Sequence, residues 1–445
     1  MSEHGTPAGN TAGGDPLVPE AVAQTVTAEP RRRVGLGFIL AFSLAYMSAW
    51  MAYLTPPFVA MAVKVRQIDP AGSAGSLAFV LGVGGLFAIV AYPIFGKLSD
   101  RTPSRFGMRR PWIAGGWLVG TIGLLLCGMG QSIHVVLLGW IIAQLGLSAL
   151  LATLVALLPD HVPMSQRGLV SGFLGMGIPV GAIGGTFIAQ SVSGTIPLMF
   201  LLPAGVAFVC IAILFSILED RRLGLEQVRT LPRYGLREFL DSFWVNPRRH
   251  PDFGWAWLSR FLVFMGVDTL VTYQAFYLIN HLGLDPEKVA QFVFLGTLVH
   301  YGALVLVSVV GGWLSDRLGR RKVFVMSAAA LYGIGLAFIA FAPSFEVFLI
   351  GMAITGLAEG IYSAVDLALV ADVLPHPDNV AKDLGVFQIT SSLPQSLAPA
   401  VAPIFLSIPL SGGGQPGGNY TALFAIAALL AFLGALAVRP IRGVR

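Results

Sequence analysis

Five ionisable residues stand where a charge is expensive. Arg260, Asp268, His300, Glu359 and Asp366 each interrupt an apolar stretch long enough to cross a bilayer. A charged side chain at the centre of such a stretch costs about 2.5–3.5 kcal/mol on insertion scales, so residues of this kind need a reason. Glu359 and Asp366 are seven positions apart, which places them on one helix face, two turns from each other. Two carboxylates facing a common cavity away from water influence each other's ionisation, and that is the chemistry of taking up and releasing a proton. Arg260 and Asp268 are separated by roughly 12 Å along a helix axis; they can line the same cavity without forming a short direct pair. The expectation is that Glu359 or Asp366 carries a proton and that Arg260 supplies a counter-charge. The alternative is a fixed ion-pair network that holds two helices together. Asp372 lies near the end of its stretch, where water reaches it.

A second group of side chains could hold an uncharged, hydroxyl-rich solute, which needs aromatic platforms and hydrogen-bonding amides or hydroxyls. Tyr46, Trp50 and Tyr53 fall in the first apolar stretch and Gln144 in the fourth. Thr272, Tyr273, Gln274 and Tyr277 fall in the seventh, His300 and Tyr301 in the eighth, and Gln388 in the eleventh. The plainer role for any one of these aromatics is packing or facing lipid, and for His300 that of a satisfied internal histidine. Cys127 and Cys210 both lie inside apolar stretches and read as buried thiols, with no disulfide or metal site. The sequence holds no H-E-x-x-H, G-x-S-x-G or G-x-x-x-x-G-K-[ST] pattern. Neither an intramembrane hydrolase nor an ATP-driven pump is expected, and no cofactor or metal.

The elements that position these residues follow from composition. Of 445 residues, 55% are hydrophobic and 11% charged, against about 25% charged in ordinary globular chains. A soluble chain could not cover its surface with so few charges. A membrane helix needs roughly 20 apolar residues, and such stretches recur at 34–60, 77–96, 112–131, 134–158, 168–192, 196–218, 254–280, 289–314, 323–342, 346–370, 384–409 and 420–439. They are too long and too continuous for barrel strands, so the fold class is all-α, with twelve transmembrane helices. Residues 1–33 are a polar tail with no signal-peptide pattern. Lys and Arg fall 24 on the side of the N-terminus and 3 on the other, with Arg260 inside a span. By the positive-inside rule both termini are cytoplasmic. The net charge of +5 therefore reflects topology and not nucleic-acid binding.

The chain also repeats. Gly96-Lys-Leu-Ser-Asp100-Arg101 recurs as Gly312-Trp-Leu-Ser-Asp316-Arg317, and each copy is followed by a glycine and basic residues: Gly107-Met108-Arg109-Arg110, then Gly319-Arg320-Arg321-Lys322. Leu158-Pro159 pairs with Leu374-Pro375 at the same offset of 216, and Arg167 and Lys382 each precede a proline by twelve positions. The organisation expected is a six-helix half at 34–218, a linker at 219–253, a second half at 254–439 and a tail at 440–445. The linker is read as a surface-lying segment with Leu236, Phe239, Phe243 and Trp244 on one apolar side, or as a plain hydrophilic tether. Two parallel halves place a substrate site between them near the bilayer midplane. The prolines and glycines of the fifth stretch (Gly175, Gly177, Pro179, Gly181) and the eleventh (Pro394, Pro399, Pro403) fit bent helices that gate a cavity, or tight packing.

This six-plus-six layout with a G-x-x-S-D-R loop after the second and eighth stretches resembles the major facilitator superfamily. The longer first loop, Gly96 through Ile113, is similar to that of the sucrose–proton symporter group and its bacterial relatives, with Met108 where an arginine is expected. The resemblance implies that the loops (Gly96, Asp100, Arg101, Arg105, Gly107, Arg109 and Arg110; Gly312, Asp316, Arg317, Arg320 and Arg321) act as latches between conformations. The alternative is a topology and packing device; the arginines can also meet anionic lipid headgroups. That group is associated with an acidic residue in helix four, whereas this chain has Gln144 there and no acid. The coupling position is then absent or moved to the second half, and uncoupled diffusion stays open. The function expected is secondary transport of a sugar or glycoside by a monomer in the cytoplasmic membrane, coupled to protons. The rivals are an exporter of drugs or metabolites on the same fold and a non-transporting membrane binding or assembly protein.

Overall fold

The computed structural model describes residues 33–224, 248–318, 320–372, 380–409 and 418–441. Among them are twelve long helices and no strand. They are α1 (Leu36–Ile68), α2 (Ser73–Ser99), α3 (Arg110–Met129), α4 (Ile133–His161), α5 (Met164–Ser191), α6 (Ile196–Ile217), α7 (Pro251–Asn280), α8 (Val289–Leu318), α9 (Arg321–Ala340), α10 (Phe345–Asp372), α11 (Val380–Leu406) and α12 (Tyr420–Ala437). Each predicted stretch overlaps one helix, and eleven helices are long and apolar enough to cross a membrane. The remaining one, α11, carries Lys382, Asp383 and three internal prolines. The expected apolar side of the linker falls on 225–247, outside the described residues.

Helix-breaking residues leave local marks. Pro56 and Pro57 lack N–H donors, and there α1 widens into a π-helical turn, Pro56–Ala60, before continuing to Ile68. α5 breaks at Met176 into Met164–Gly175 and Gly177–Ser191. Short polar caps fix several entries. Ser132 accepts from the Val135 N–H at the start of α4, and Asn419 accepts from Ala422 at the start of α12. Before α2, the Ser76 hydroxyl and the Gly72 N–H donate to Asp69 and hold its carboxyl below the usual carboxylate range.

The sequence repeat has a counterpart in packing. α1 packs on α5 and α6, α2 on α4, and α3 on α4 and α6; in the same way α7 packs on α11 and α12, α8 on α10, and α9 on α10 and α12. The α3–α4 approach is very close. A Cβ on Gly123 would stand 2.6 Å from the Gly139 carbonyl oxygen, and one on Gly146 2.7 Å from that of Gly116, so only glycine fits. The two sets of six meet where α2 packs on α11 and α5 on α8. On the side away from the Arg-rich loops, the π turn and the end of α1 also touch α7 and α8. Phe187 on α5 meets Phe294 on α8 with ring centroids 5.5 Å apart, and Phe58 meets Tyr301 at 6.3 Å. Side chains of both sets thus meet on this far side.

Candidate functional site

The five intramembrane ionisable residues gather on helices α7, α8 and α10, in two separate groups. Arg260 pairs with Asp366 across α7 and α10, and its guanidinium also donates to the Ser391 hydroxyl on α11 at 3.0 and 3.1 Å. The faces of Phe264 and Phe387 flank it, with ring centroids 4.9 and 4.8 Å away. The Asp366 side chain is 3% exposed. The cation therefore has a counter-ion, a hydroxyl and two π-faces, which together replace water around it.

Glu359 has a different partner. His300 Nε2 on α8 lies 3.1 Å from Glu359 Oε2 on α10, and His300 Nδ1 lies 3.0 Å from the Thr355 hydroxyl. Glu359 and Asp366 do share a helix face, as spacing requires, but each has its own partner on a neighbouring helix. The acid that stands near enough to feel the Glu359 charge is Asp268 on α7, whose Oδ2 is buried without a protein hydrogen-bond partner. The Asp372 side chain falls outside the described set.

Beside His300 is a small cavity of about 10 Å³, near the size that holds one water. Phe58, Val271, Tyr301 and Met352 contribute apolar lining. Gln274, Thr297 and Tyr332 also line it, and each carries a buried side-chain oxygen that lacks a protein partner. Buried polar atoms without partners are uncommon, and here three belong to residues that line one mainly apolar cavity. On the first-half side, Tyr46, Trp50 and Tyr53 form an edge-to-face series with centroid spacings of 6.2 and 5.5 Å. The Tyr53 hydroxyl donates to Gln395 on α11 at 3.4 Å, and Gln144 Oε1 and the Trp50 indole N–H are also buried without partners.

Three further candidates have other positions. The Tyr277 hydroxyl donates to the Ile339 carbonyl at 2.6 Å and the ring stacks on His281 and Phe348, which is a packing role. Gln388 is exposed. Tyr273 links the two sets on the far side. Its hydroxyl reaches the Pro399 carbonyl on α11 at 3.2 Å and the Ala74 carbonyl on α2 at 3.4 Å. The Pro399 carbonyl is available because Pro403, four residues on, has no N–H to offer it. Tyr273→Phe should shift the population towards a far-side-open state. A loss of about 1–2 kcal/mol corresponds to roughly 5–30-fold in the ratio of states. Distances between spin labels on the far ends of α2 and α7 would report it, and an unchanged distribution would remove Tyr273 from the gate.

The first Arg-rich loop is a dense ionic junction. Arg109 bridges Asp100 at 2.7 Å and Asp160, at the end of α4, at 2.8 Å, and it donates to the Ser99 hydroxyl at 2.5 Å. Asp220, beyond α6, accepts from the backbone N–H groups of both Arg109 and Arg110 at 2.8 Å, so a carboxylate caps the N-terminus of α3. Gly107 has φ of +105°, and a Cβ there would run into Asp220. Arg105 lies over the exposed Phe106 ring. Arg110 donates to the carbonyls of Phe215 and Leu218 at the end of α6. Its repeat counterpart, Lys322, donates to the carbonyls of Arg439 and Ile441 beyond α12, both at 2.6 Å. A cation thus holds carbonyls at the end of the sixth helix in the first set and just beyond it in the second. Gly319 and the Asp316 side chain lie outside the described residues.

Sequence reasoning did not single out Asp160, Asp220, Thr355, Ser391, Thr297 or Tyr332. Asp160 had a signal, since it directly follows the repeated Leu158-Pro159 landmark. Among the described residues no group of three His, Cys, Asp or Glu side chains is arranged to hold a metal ion.

The family model described as Major Facilitator Superfamily matches residues 38–306 and 289–444, and the chain belongs to that superfamily of membrane transporters. Among curated relatives, the cis,cis-muconate transport protein of Acinetobacter baylyi is 25% identical over 339 residues, covering 75% of this chain and 79% of that one. The riboflavin transporter RibZ of Clostridioides difficile is 23% identical over 329 residues, covering 63% and 70%. Among solved structures, the nucleoside transporter NupG aligns with a TM-score of 0.68 at 13% identity, covering 91% of this chain and 98% of that one. A D-xylose–proton symporter aligns with a TM-score of 0.66 at 17% identity, covering 90% and 96%. At these identities the structures establish the shared fold.

Proposed function

We propose that this chain is a proton-coupled importer of a small uncharged, hydroxyl-bearing solute, a sugar or glycoside, in the cytoplasmic membrane, with the Arg-rich loops on the cytoplasmic side. It works as a monomer by alternating access between two six-helix halves, 34–218 and 254–439. The observation that carries this reading is the His300–Glu359 pair across α8 and α10, beside Asp268 and a cavity lined by three residues with unpartnered polar atoms. A carboxylate–imidazole pair out of water is suited to hold and release one proton. Gln274 Oε1 can only accept, and the Thr297 and Tyr332 hydroxyls can accept or donate; a hydroxyl-rich solute matches that set once the halves move apart and widen a cavity that here has room for about one water. A dicarboxylate such as muconate suits it less, because the Arg260 cation is already matched by Asp366. Tyr273 and the Phe187–Phe294 contact join the two halves on the far side, so that side is read as the closed one.

The apolar lining at Phe58, Val271 and Met352 favours a second reading, export of an aromatic or apolar metabolite. Uptake into proteoliposomes separates the two. Mono- and disaccharides, nucleosides and aromatic metabolites are offered with and without an imposed pH gradient. Gradient-driven accumulation of a sugar supports the first reading. Accumulation of no sugar under either condition, with movement of an aromatic compound, overturns it.

A further inference from the structure

We propose that Thr355 is a positioning residue that lets His300 gain and lose a proton without leaving a buried ring nitrogen unpaired. This deepens the proton-coupling reading above and rests on it. His300 is 5% exposed, so its ring nitrogens depend on protein partners. Nε2 has Glu359 and Nδ1 has the Thr355 hydroxyl. That hydroxyl carries one hydrogen and has two places to send it: the Met352 carbonyl oxygen, 2.9 Å away, or the Nδ1 lone pair, 3.0 Å away.

The two choices match the two charge states of the ring. When His300 is doubly protonated, Nε2–H donates to ionised Glu359 and Nδ1–H donates to Thr355, whose own hydrogen goes to Met352. When the proton on Nδ1 leaves to water entering the cavity, the hydroxyl rotates about its C–O bond and donates to Nδ1 instead, while Nε2–H stays on Glu359. The loaded and empty states differ by one proton, and the ring keeps both hydrogen bonds in each. Met352 gives up only an extra donor, since a helical carbonyl retains its backbone bond. The titratable groups around His300 are Glu359 on α10, Tyr301 beside it on α8 and Tyr332 on α9, with Asp268 on α7 close enough to act on all three. Nδ1 itself meets the Thr355 hydroxyl, which can reverse from acceptor to donor without moving a heavy atom.

Thr355→Val keeps the shape and removes the hydroxyl. Loading then leaves a charged ring N–H with no acceptor, which is worse than the unpaired lone pair of the neutral ring. The sign follows. The protonated state becomes harder to reach, and the pH profile of solute uptake should move about one pH unit to the acid side. Thr355→Ser restores the hydroxyl and should restore the profile. Nitrogen NMR resonances of His300 in the purified full-length protein, assigned by their loss in His300→Gln, should titrate with the same displacement in Val and none in Ser. An unshifted titration in Thr355→Val, or an equal shift in Thr355→Ser, overturns the proposal. If uptake by the unmodified protein ignores the pH gradient, the coupling reading fails, and the NMR titration still decides the role of Thr355.

Discussion

Glu359→Gln should abolish gradient-driven accumulation while leaving solute exchange intact. The amide still fills the space beside His300 and can hydrogen-bond to Nε2, so helix packing is preserved. What is lost is the carboxylate whose negative charge retains the proton. For one proton per solute, a gradient of one pH unit sustains about tenfold accumulation; in Glu359→Gln the ratio should fall to about 1 by the same relation. Counterflow, in which labelled solute enters against unlabelled solute inside, requires only alternating access and should continue. Parallel measurements of accumulation and counterflow in one set of proteoliposomes check this. Normal accumulation in both Glu359→Gln and Asp366→Asn would eliminate α10 as the coupling helix.

Arg260→Ala should damage the protein more broadly. Asp366 is almost fully buried, and truncating its partner leaves a carboxylate with neither water nor counter-ion. Breaking a buried pair from one side costs about 3–5 kcal/mol, and two cation–π contacts and the Ser391 bonds disappear as well. The expected result is a large drop in thermal stability of the detergent-solubilised protein. Replacing both partners, Arg260→Met with Asp366→Leu, should recover most of it, since no charge is then stranded. If the double variant transports and couples normally, the pair is a clamp between α7, α10 and α11. If it is stable but uncoupled, Asp366 belongs with Glu359 in the proton pathway.

These two expectations differ because the structure separates residues that sequence spacing puts together. Seven positions on one helix fix a common face for Glu359 and Asp366, but a face says nothing about which neighbour each acid meets. That depends on how α7, α8 and α11 are rotated and where they cross α10. The α8–α10 crossing is set by the Gly360 approach to the Leu304 carbonyl, and α11 is held against α2 by the Gly82 and Gly85 approach to Ser396. The sequence shows the glycines but not which helix each will receive. Tyr273 and Tyr277 illustrate the same point. Four residues apart on one helix, one bonds to both sets of helices and the other packs within its own.

The Arg-rich loops were more legible, though not completely. Their repeat was visible because the residues are contiguous, and Arg110 and Lys322 hold carbonyls at or just beyond equivalent helix ends in the two sets. Asp160 and Asp220, the acids that complete the first junction, lie 51 and 111 positions from Arg109. No local pattern connects such distances.

Residue order and composition alone carry the set of helices, the duplicated motifs, the expected orientation and the short roster of ionisable residues inside apolar stretches. Each follows from a local cost, that of placing a peptide group or a charge in hydrocarbon, which is paid segment by segment. Partnership came from helix packing: Arg260 with Asp366 and Ser391, Glu359 with His300, and His300 with Thr355. A hydrogen bond between helices requires two side chains to meet within about 3 Å, and that depends on the relative rotation and crossing of whole helices, which no single stretch of the chain encodes.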